Sequence, residues 1–335
     1  MTKTRFRAAA VQSAPAFLDL AGSVEKTIAL IDEAGRQDVD LLAFPETWIP
    51  GYPWFIWLGA PAWGMQFVGR YHENSIGADS AEERAIRAAV ARNGLTCVLG
   101  ASERAGGSNY MAQWIYGPDG SVVARRRKLK PTHVERTIFG EGDGSDIAVH
   151  DTDVGRLGAL CCWEHLQPLT KYAMYAQGEQ VHVAAWPSFS LYEGAAYALG
   201  PEVNTAASLM YAAEGQCFVV ASCATVSQEM CDLLCDAEDK RMFLKPGGGH
   251  ARIFAPDGRS LGAPLAPDAE GLVVADIDLS MIAFAKAAAD PVGHYSRPDV
   301  FKLMINRNRN TVTAPFAPGV EAVTSAGENP KDAAP

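Results

Sequence analysis

Short apolar runs alternate with helical stretches along most of this 335-residue chain, and this alternation constrains the fold more than any other feature. Between two of the runs, Val24, Ile28 and Ile31 form one apolar stripe at helical spacing. Alternating strands and helices predict an α/β protein whose sheets are covered by helices. The runs predicted to be strands are RFRAAAVQ, VDLLAFPE, LTCVLGASE, GRLGALCC, VHVAAWPSF, CFVVASCA and GLVVADIDL.

The segments between and after these runs predict helices and two hairpins. Helices are expected near residues 21–34, 81–93 and 203–214, in QPLTKYAMYAQ, and after the last strand. Each hairpin is indicated by two extended runs around a Pro-Asp-Gly turn, at residues 118–120 and 256–258. No linker interrupts the middle of the chain, which predicts a single domain.

The charge balance excludes some classes of protein. Lys and Arg total 29 and Asp and Glu total 39, which gives a net charge of −10 and argues against nucleic-acid binding. The basic run from Arg125 to Lys130 is a local exception, expected to be a solvated strand edge.

The N-terminus has no signal-peptide pattern and no apolar stretch reaches membrane-spanning length. Seven cysteines without a secretion signal predict reduced thiols and a cytoplasmic location.

The segment GALCCWEHL has the features of a strand that delivers a nucleophile. A strand of small residues that stops at a cysteine and turns sharply into a helix is one way in which α/β proteins present a nucleophile. Successive strand side chains face opposite sides, so only one of Cys161 and Cys162 faces a given site. Buried packing is the alternative for either cysteine, because free cysteine is usually a small buried hydrophobe.

Other strand ends supply groups that a cysteine nucleophile needs. Glu46 follows VDLLAFP, Lys128 ends a basic strand, and Glu135 follows shortly after the break at Pro131. Active sites in α/β sheets collect at strand ends, so carboxylate, ammonium and thiol are expected to lie near one another. Taken separately, a glutamate such as Glu46 is more often a surface or capping residue, and a lysine such as Lys128 is more often solvated.

Three segments, FPETWIPGYP, RRKLKPTHVER and GALCCWEHLQPL, resemble the signature segments of the nitrilase superfamily of carbon–nitrogen hydrolases. The Trp-Glu after the cysteine is similar to the true nitrilase branch, and later segments resemble arylacetonitrilase-type microbial enzymes. The resemblance spans about residues 5–305. It implies a four-layer α-β-β-α sandwich of two sheets, one domain over residues 1–305, and a flexible or oligomer-contacting tail over residues 306–335.

The same resemblance implies the catalytic residues. Glu46, Lys128 and Cys162 match its Glu-Lys-Cys triad, with Glu135 as a supporting carboxylate, and Cys161 is expected to pack. Cys162 is expected to attack a small-molecule nitrile and form a thioimidate and then a thioester, with Glu46 as base and Lys128 stabilising developing negative charge. No metal or other cofactor is implied.

Aromatic residues near these segments are candidates for substrate binding. Tyr52, Trp57, Trp163 and Trp186 are predicted to line an apolar pocket for aryl or arylacetonitriles, with core packing as the alternative. His165 also follows the cysteine, but a Cys-His dyad or metal site is disfavoured because adjacent ligands lack structural zinc spacing.

Two alternatives remain open from the sequence. The enzyme could release an amide, as a nitrile or cyanide hydratase or an amidase of the same superfamily, or the chain could be a non-catalytic relative, which the four matched residues disfavour. The resemblance also implies a homo-oligomer, a dimer that extends into spirals or filaments, and no nucleic-acid or membrane partner.

Overall fold

The computed structural model describes residues 2–313, whose longer strands form two sheets. The strands are β1 (Arg5–Ser13), β2 (Leu41–Ala43), β3 (Ile76–Gly77), β4 (Thr96–Ala105), β5 (Ser108–Tyr116), β6 (Val122–Arg127), β7 (Phe139–Gly140), β8 (His150–Thr152), β9 (Gly155–Cys161), β10 (Val181–Trp186), β11 (Phe218–Ala224), β12 (Arg252–Phe254), β13 (Ser260–Leu261) and β14 (Gly271–Asp278). The first sheet has the order β14-β1-β2-β4-β5-β6 and the second β8-β9-β10-β11-β12-β13. The two sheets join where Gln12 and Ser13 of β1 pair with Cys223 and Ala224 of β11.

Successive residues of β1 show why this arrangement forms four layers. Ala8 and Ala10 belong to the apolar cluster that also contains residues of the second sheet. Ala9 and Val11 belong to a different cluster, formed with two covering helices. The strand is therefore buried on both faces, which is why its sequence is continuously apolar. The four-layer α-β-β-α sandwich is confirmed.

Eight α-helices lie within residues 2–313, and those predicted from the sequence are present. Asp19 accepts a hydrogen bond from Gly22 N at the start of the first, and Gly94 ends the third in a left-handed conformation. The helices are α1 (Leu20–Arg36), α2 (Pro61–Asn74), α3 (Ala81–Asn93), α4 (Pro168–Tyr175), α5 (Pro201–Gly215), α6 (Gln228–Leu234), α7 (Glu238–Phe243) and α8 (Met281–Ala289). The sequence pattern did not predict α2, α6 and α7.

Both Pro-Asp-Gly turns connect antiparallel strands, β5 with β6 and β12 with β13, so the two hairpins are confirmed. None of the described helices combines the length and the apolar character needed to cross a lipid bilayer. Of the tail predicted over residues 306–335, residues 306–313 form neither a helix nor a strand, and Asn310 N donates to Asp143 Oδ2. The rest of the tail lies outside the described residues.

Candidate active site

The predicted catalytic residues follow three strands that point the same way. β2, β9 and β10 belong to a continuous parallel arrangement through β1 and β11, and two antiparallel steps from β4 give β6 the same direction. Glu46, Lys128 and Cys162 come within three residues of the ends of β2, β6 and β9. The topology therefore brings three distant segments to one end of the sandwich.

Lys128 is the centre of a buried ionic cluster. Its Nζ donates to Glu46 Oε1 at 3.0 Å and to Glu135 Oε2 at 2.8 Å. The side chains of Lys128 and Glu46 are fully inaccessible, and that of Glu135 is 2% exposed. Two carboxylates around one ammonium leave an excess negative charge unless a proton is bound, so the cluster is suited to exchange a proton.

Glu46 is held by close backbone packing. A Cβ on Gly100 of β4 would lie 1.8 Å from the carbonyl oxygen of Pro45, so only glycine allows this loop to approach the strand. Glu46 N donates to Trp186 O at 3.3 Å. Glu46 Oε2 is buried without a hydrogen-bond partner among the described residues. This oxygen is therefore available to a reacting group, whereas Oε1 is engaged by Lys128.

Glu135 is fixed from several directions on a short 3-10 helix over His133–Thr137. Its Oε2 accepts from Thr132 N at 2.5 Å, and its Oε1 accepts from the hydroxyl of Tyr52 at 2.8 Å. Trp57 Nε1 donates in turn to that hydroxyl at 3.0 Å. These hydrogen bonds hold the Glu135 carboxylate against Lys128, so Glu135 is suited to position the lysine.

Cys162 lies at the turn between β9 and a 3-10 helix over Cys162–Leu166. Its φ is 46°, in the left-handed region that a non-glycine residue adopts at a cost of about 1–3 kcal/mol. Its side chain lines the same cavity as Tyr52 and Glu135. Cys161 is buried, with Sγ 3.8 Å from Nη1 of Arg126. The two cysteines thus have different surroundings, and Cys162 is the one that lines the cavity.

Burial controls the charge states of the cluster. It raises the pKa of Glu46 to about 8; Lys128 opposes this shift and Glu135 adds to it. Burial opposes the charge on Lys128, but Glu135 and Glu46 raise its pKa well above the usual value. Burial, followed by repulsion from Glu46, also raises the pKa of the Cys162 thiol despite the attraction of Lys128. The resting site therefore holds a neutral thiol beside a charged lysine.

Arg126 corrects the expectation that the whole basic run is solvated, because it is buried. Its Nη2 donates to both oxygens of Glu164, at 2.8 and 3.0 Å. Glu164 also accepts from Leu129 N at 2.8 Å and from Cys161 N at 2.7 Å. One carboxylate thus ties the backbone beside Lys128 to the backbone beside Cys162. Neither Arg126 nor Glu164 is predicted as a site residue from the sequence, where the available signal is a glutamate at the third position of a helical turn.

The four aromatic residues predicted to bind substrate, Tyr52, Trp57, Trp163 and Trp186, all line the cavity that contains Cys162. Trp163 Nε1 donates to Asn204 Oδ1 at 3.0 Å, and Trp186 Nε1 donates to Ser208 Oγ at 2.8 Å. The cavity is walled mainly by apolar side chains. These bonds fix the indole rings in place, so the walls present a preformed apolar surface.

The site belongs to a hydrolase of carbon–nitrogen bonds. The carbon–nitrogen hydrolase family model matches residues 7–287, and the chain belongs to this family. It is 61% identical over 306 residues to a nitrilase of Pseudomonas syringae pv. syringae (strain B728a), covering 91% of each chain. It is 53% identical to the arylacetone-specific nitrilase of Alcaligenes faecalis, covering 91% of this chain and 86% of that one. An aliphatic nitrilase of Rhodococcus rhodochrous is also 53% identical, with 91% and 84% covered.

A solved structure supports the fold independently. The crystal structure of a carbon–nitrogen hydrolase from Helicobacter pylori G27 has a TM-score of 0.70, with 88% of this chain and 96% of that chain covered. The sequence identity is 19%, so this likeness bears on the fold alone.

Proposed function

We propose that the chain is a nitrilase that converts an aryl or arylacetonitrile to the carboxylic acid and ammonia. The observation that carries the proposal is the cavity in which Cys162 lies beside the buried cluster of Lys128, Glu46 and Glu135. The names of the relatives support nitriles as the substrate class. The apolar walls of the cavity support an aryl substituent.

Glu46 acts first, as a general base. Its Oε2 accepts the thiol proton while Sγ adds to the nitrile carbon, and the proton is passed to the nitrogen, which leaves a covalent thioimidate. Because the thiol pKa is raised, removal of the proton during attack is a physical requirement here. Lys128 presents positive charge where the nitrogen gains electron density, without any reorganisation of solvent.

Water then completes the reaction in two additions. The first water adds to the thioimidate carbon and gives a tetrahedral adduct, and loss of ammonia leaves a thioester. The second water attacks the thioester, and Sγ leaves and regains its proton as the acid is released. Expulsion of Sγ from the tetrahedral adduct would instead give an amide, so the ratio of acid to amide measures how the adduct divides.

The decisive experiment replaces the nucleophile. Cys162→Ala is expected to abolish ammonia release from phenylacetonitrile, benzonitrile and an aliphatic nitrile, because no covalent intermediate can form. Cys161→Ala is the matched control, since it removes the adjacent buried sulfur outside the cavity, and it is expected to keep most of the activity. Ammonia, acid and amide are quantified together. Turnover by Cys162→Ala would contradict the proposal, and a product that is mainly amide would replace the nitrilase with a hydratase.

The protein is also proposed to form a homo-oligomer, a dimer that extends into spirals or filaments. Exposed apolar side chains on and beside the covering helices α4 and α5, namely Leu169, Tyr197 and Met210, support an additional contact surface. Light scattering and electron microscopy of the purified protein test this. A monomer at micromolar concentration would contradict it.

A cytoplasmic location is proposed because all seven cysteines are free thiols in the fold. Free thiols persist in reducing compartments. Cell fractionation, with a cytoplasmic and an exported marker protein, tests the location, and enrichment with the exported marker would contradict it.

A further inference from the structure

Four buried polar side chains outside the cavity form one continuous hydrogen-bonded chain. Tyr211 Oη donates to Glu179 Oε2 at 2.6 Å, and Glu179 Oε1 lies 2.7 Å from His182 Nδ1. His182 Nε2 lies 2.9 Å from His165 Nε2, and His165 Nδ1 lies 2.6 Å from the carbonyl oxygen of Cys162. Each of these four residues is at most 2% exposed. The proposed reaction uses none of them directly.

The chemistry of the atoms fixes the direction of every bond in this chain. A carbonyl oxygen only accepts, so His165 Nδ1 must carry a proton and donate to Cys162. A neutral His165 then accepts at Nε2, which requires His182 to donate from its own Nε2. His182 Nδ1 and Glu179 Oε1 need one proton between them, because two lone pairs at 2.7 Å repel each other.

The surroundings favour placing this proton on the carboxyl group. Burial raises the pKa of Glu179 to about 8, although the hydroxyl of Tyr211 opposes the shift. Burial lowers the pKa of His182 well below its usual value, and the positive charge of Arg126 adds to this. Burial also lowers the pKa of His165 to about 3. A carboxylic acid followed by two neutral imidazoles satisfies every donor and acceptor in the chain.

The far end of the chain is the backbone of the nucleophile. Cys162 has a strained left-handed φ of 46°, and such a conformation persists only where surrounding groups hold it. Glu164 holds the peptide between Leu160 and Cys161 through Cys161 N, whereas His165 holds the carbonyl of Cys162 itself. The His165 ring is itself stacked on the Trp186 ring, with the two ring centroids 5.1 Å apart. The turn is thus fixed on both sides of the reactive residue.

We propose that Glu179, His182 and His165 are positioning residues, which hold the turn at Cys162 through a hydrogen-bonded chain. The bond between Glu179 and His182 contains one proton, and Glu179 carries it. The inference rests on the proposed role of Cys162 as nucleophile. It assigns Glu179 a neutral acid function, as a hydrogen-bond donor, and it assigns His165 a backbone-holding function with no share in proton transfer to substrate.

The test compares variants that keep or remove the bonding pattern. In Glu179→Gln the amide NH₂ donates to His182 and the amide oxygen accepts from Tyr211, so kcat is expected to stay within about threefold of wild type. Glu179→Leu keeps the bulk but no polar atoms, and kcat is expected to fall by about tenfold or more with KM within twofold, because misplacing a reacting atom by about 1 Å costs up to about 100-fold. His165→Phe keeps the stacking on Trp186, and its kcat is expected to fall by a similar factor. His165→Asn retains a donor for the carbonyl of Cys162, and its kcat is expected to recover part of that loss.

The rate of Cys162 alkylation by iodoacetamide, followed by peptide mass, is measured on the same variants. It needs no nitrile, so it reports on the turn even if wild type fails to hydrolyse nitriles and the proposed function is wrong. The control is Tyr175→Phe, which removes a buried hydroxyl that donates to the backbone carbonyl of Tyr211 and is not part of the hydrogen-bonded chain. This variant is expected to leave both kcat and the alkylation rate unchanged. Wild-type rates in His165→Phe would overturn the proposal. Equal losses in Glu179→Gln and Glu179→Leu would also overturn it, because they would show that Glu179 acts as an anion.

Discussion

Glu46 has two oxygens in different surroundings, and this difference sets the pH response of the site. Oε1 is bonded to Lys128, whereas Oε2 is buried and has no hydrogen-bond partner within residues 2–313. With a pKa raised to about 8, the carboxyl group is mostly protonated at pH 7 in the free enzyme. Only the ionised form can accept a proton from Cys162, and a base with a pKa near the working pH is well suited to that task.

We therefore expect kcat/KM for a nitrile to rise with pH through about 8, because the ionised fraction of Glu46 increases over that range. Glu46→Gln is expected to lower kcat by about 10²–10⁴-fold and to remove this rise. Initial rates between pH 6 and 9 measure both effects. Glu141→Gln is the matched control, since Glu141 is an exposed carboxylate paired with Lys130. A flat wild-type profile over this range would contradict the assignment.

The identity of the reacting residues could be predicted from the sequence, but their charge states could not. Glu46, Lys128, Glu135 and Cys162 were found through motif resemblance, and the structure brings them to one cavity or cluster. Their pKa shifts depend on burial and on which charges face one another across strands that are distant in sequence. The prediction that the whole basic run is solvated was wrong for the same reason, since the burial of Arg126 depends on the distant partners Glu164 and Gln113.

At the level of elements, the close contact between β4 and the loop after β2 determines where Glu46 lies. Gly100→Ala is expected to lower the free energy of unfolding by about 1–3 kcal/mol, because the added Cβ would meet Pro45 O at 1.8 Å and force the backbone apart. The same displacement should lower kcat. Urea unfolding and nitrile turnover measure the two effects.

Gly107→Ala provides the comparison for this prediction, because Gly107 lies in the turn that follows β4 and a Cβ there meets nothing within 4 Å. It is expected to change stability by less than about 1 kcal/mol. Equal effects of the two substitutions would show that the contact with Pro45 is not the cause.

The helices that the sequence did not predict are short, as α6 and α7 are with seven and six residues, or ambiguous, as α2 is. The segment containing α2 is rich in aromatic residues and was interpreted only as pocket or core. In the structure Phe55 packs on Phe67 and Tyr71 of this helix, so the aromatic residues join the helix to the site loop. The buried strands were easier, since both of their faces are apolar over short runs between breaks.

At the level of the whole molecule, the sandwich determines which charges lose contact with water. Glu46 follows the buried strand β2 and Glu179 precedes the buried strand β10. Burial raises the pKa of each to about 8. In the unfolded chain a glutamate titrates near ~4.3. Folding therefore takes up protons at these two residues between those pH values, and the stability they contribute is greatest in acid and is lost as the pH rises to about 8.

This linkage gives a prediction that can be separated from all other titrations. Between pH 7 and 8 each of the two residues should lower the free energy of unfolding by about 1 kcal/mol, because the folded form still holds most of a proton that the unfolded form has already lost. Glu179→Gln cannot titrate, so its stability should fall about 1 kcal/mol less than that of wild type over this interval. Taking the difference cancels the histidine and cysteine contributions common to both proteins. Urea unfolding at pH 7 and 8 measures it, and parallel losses in the two proteins would show that Glu179 is already ionised at neutral pH.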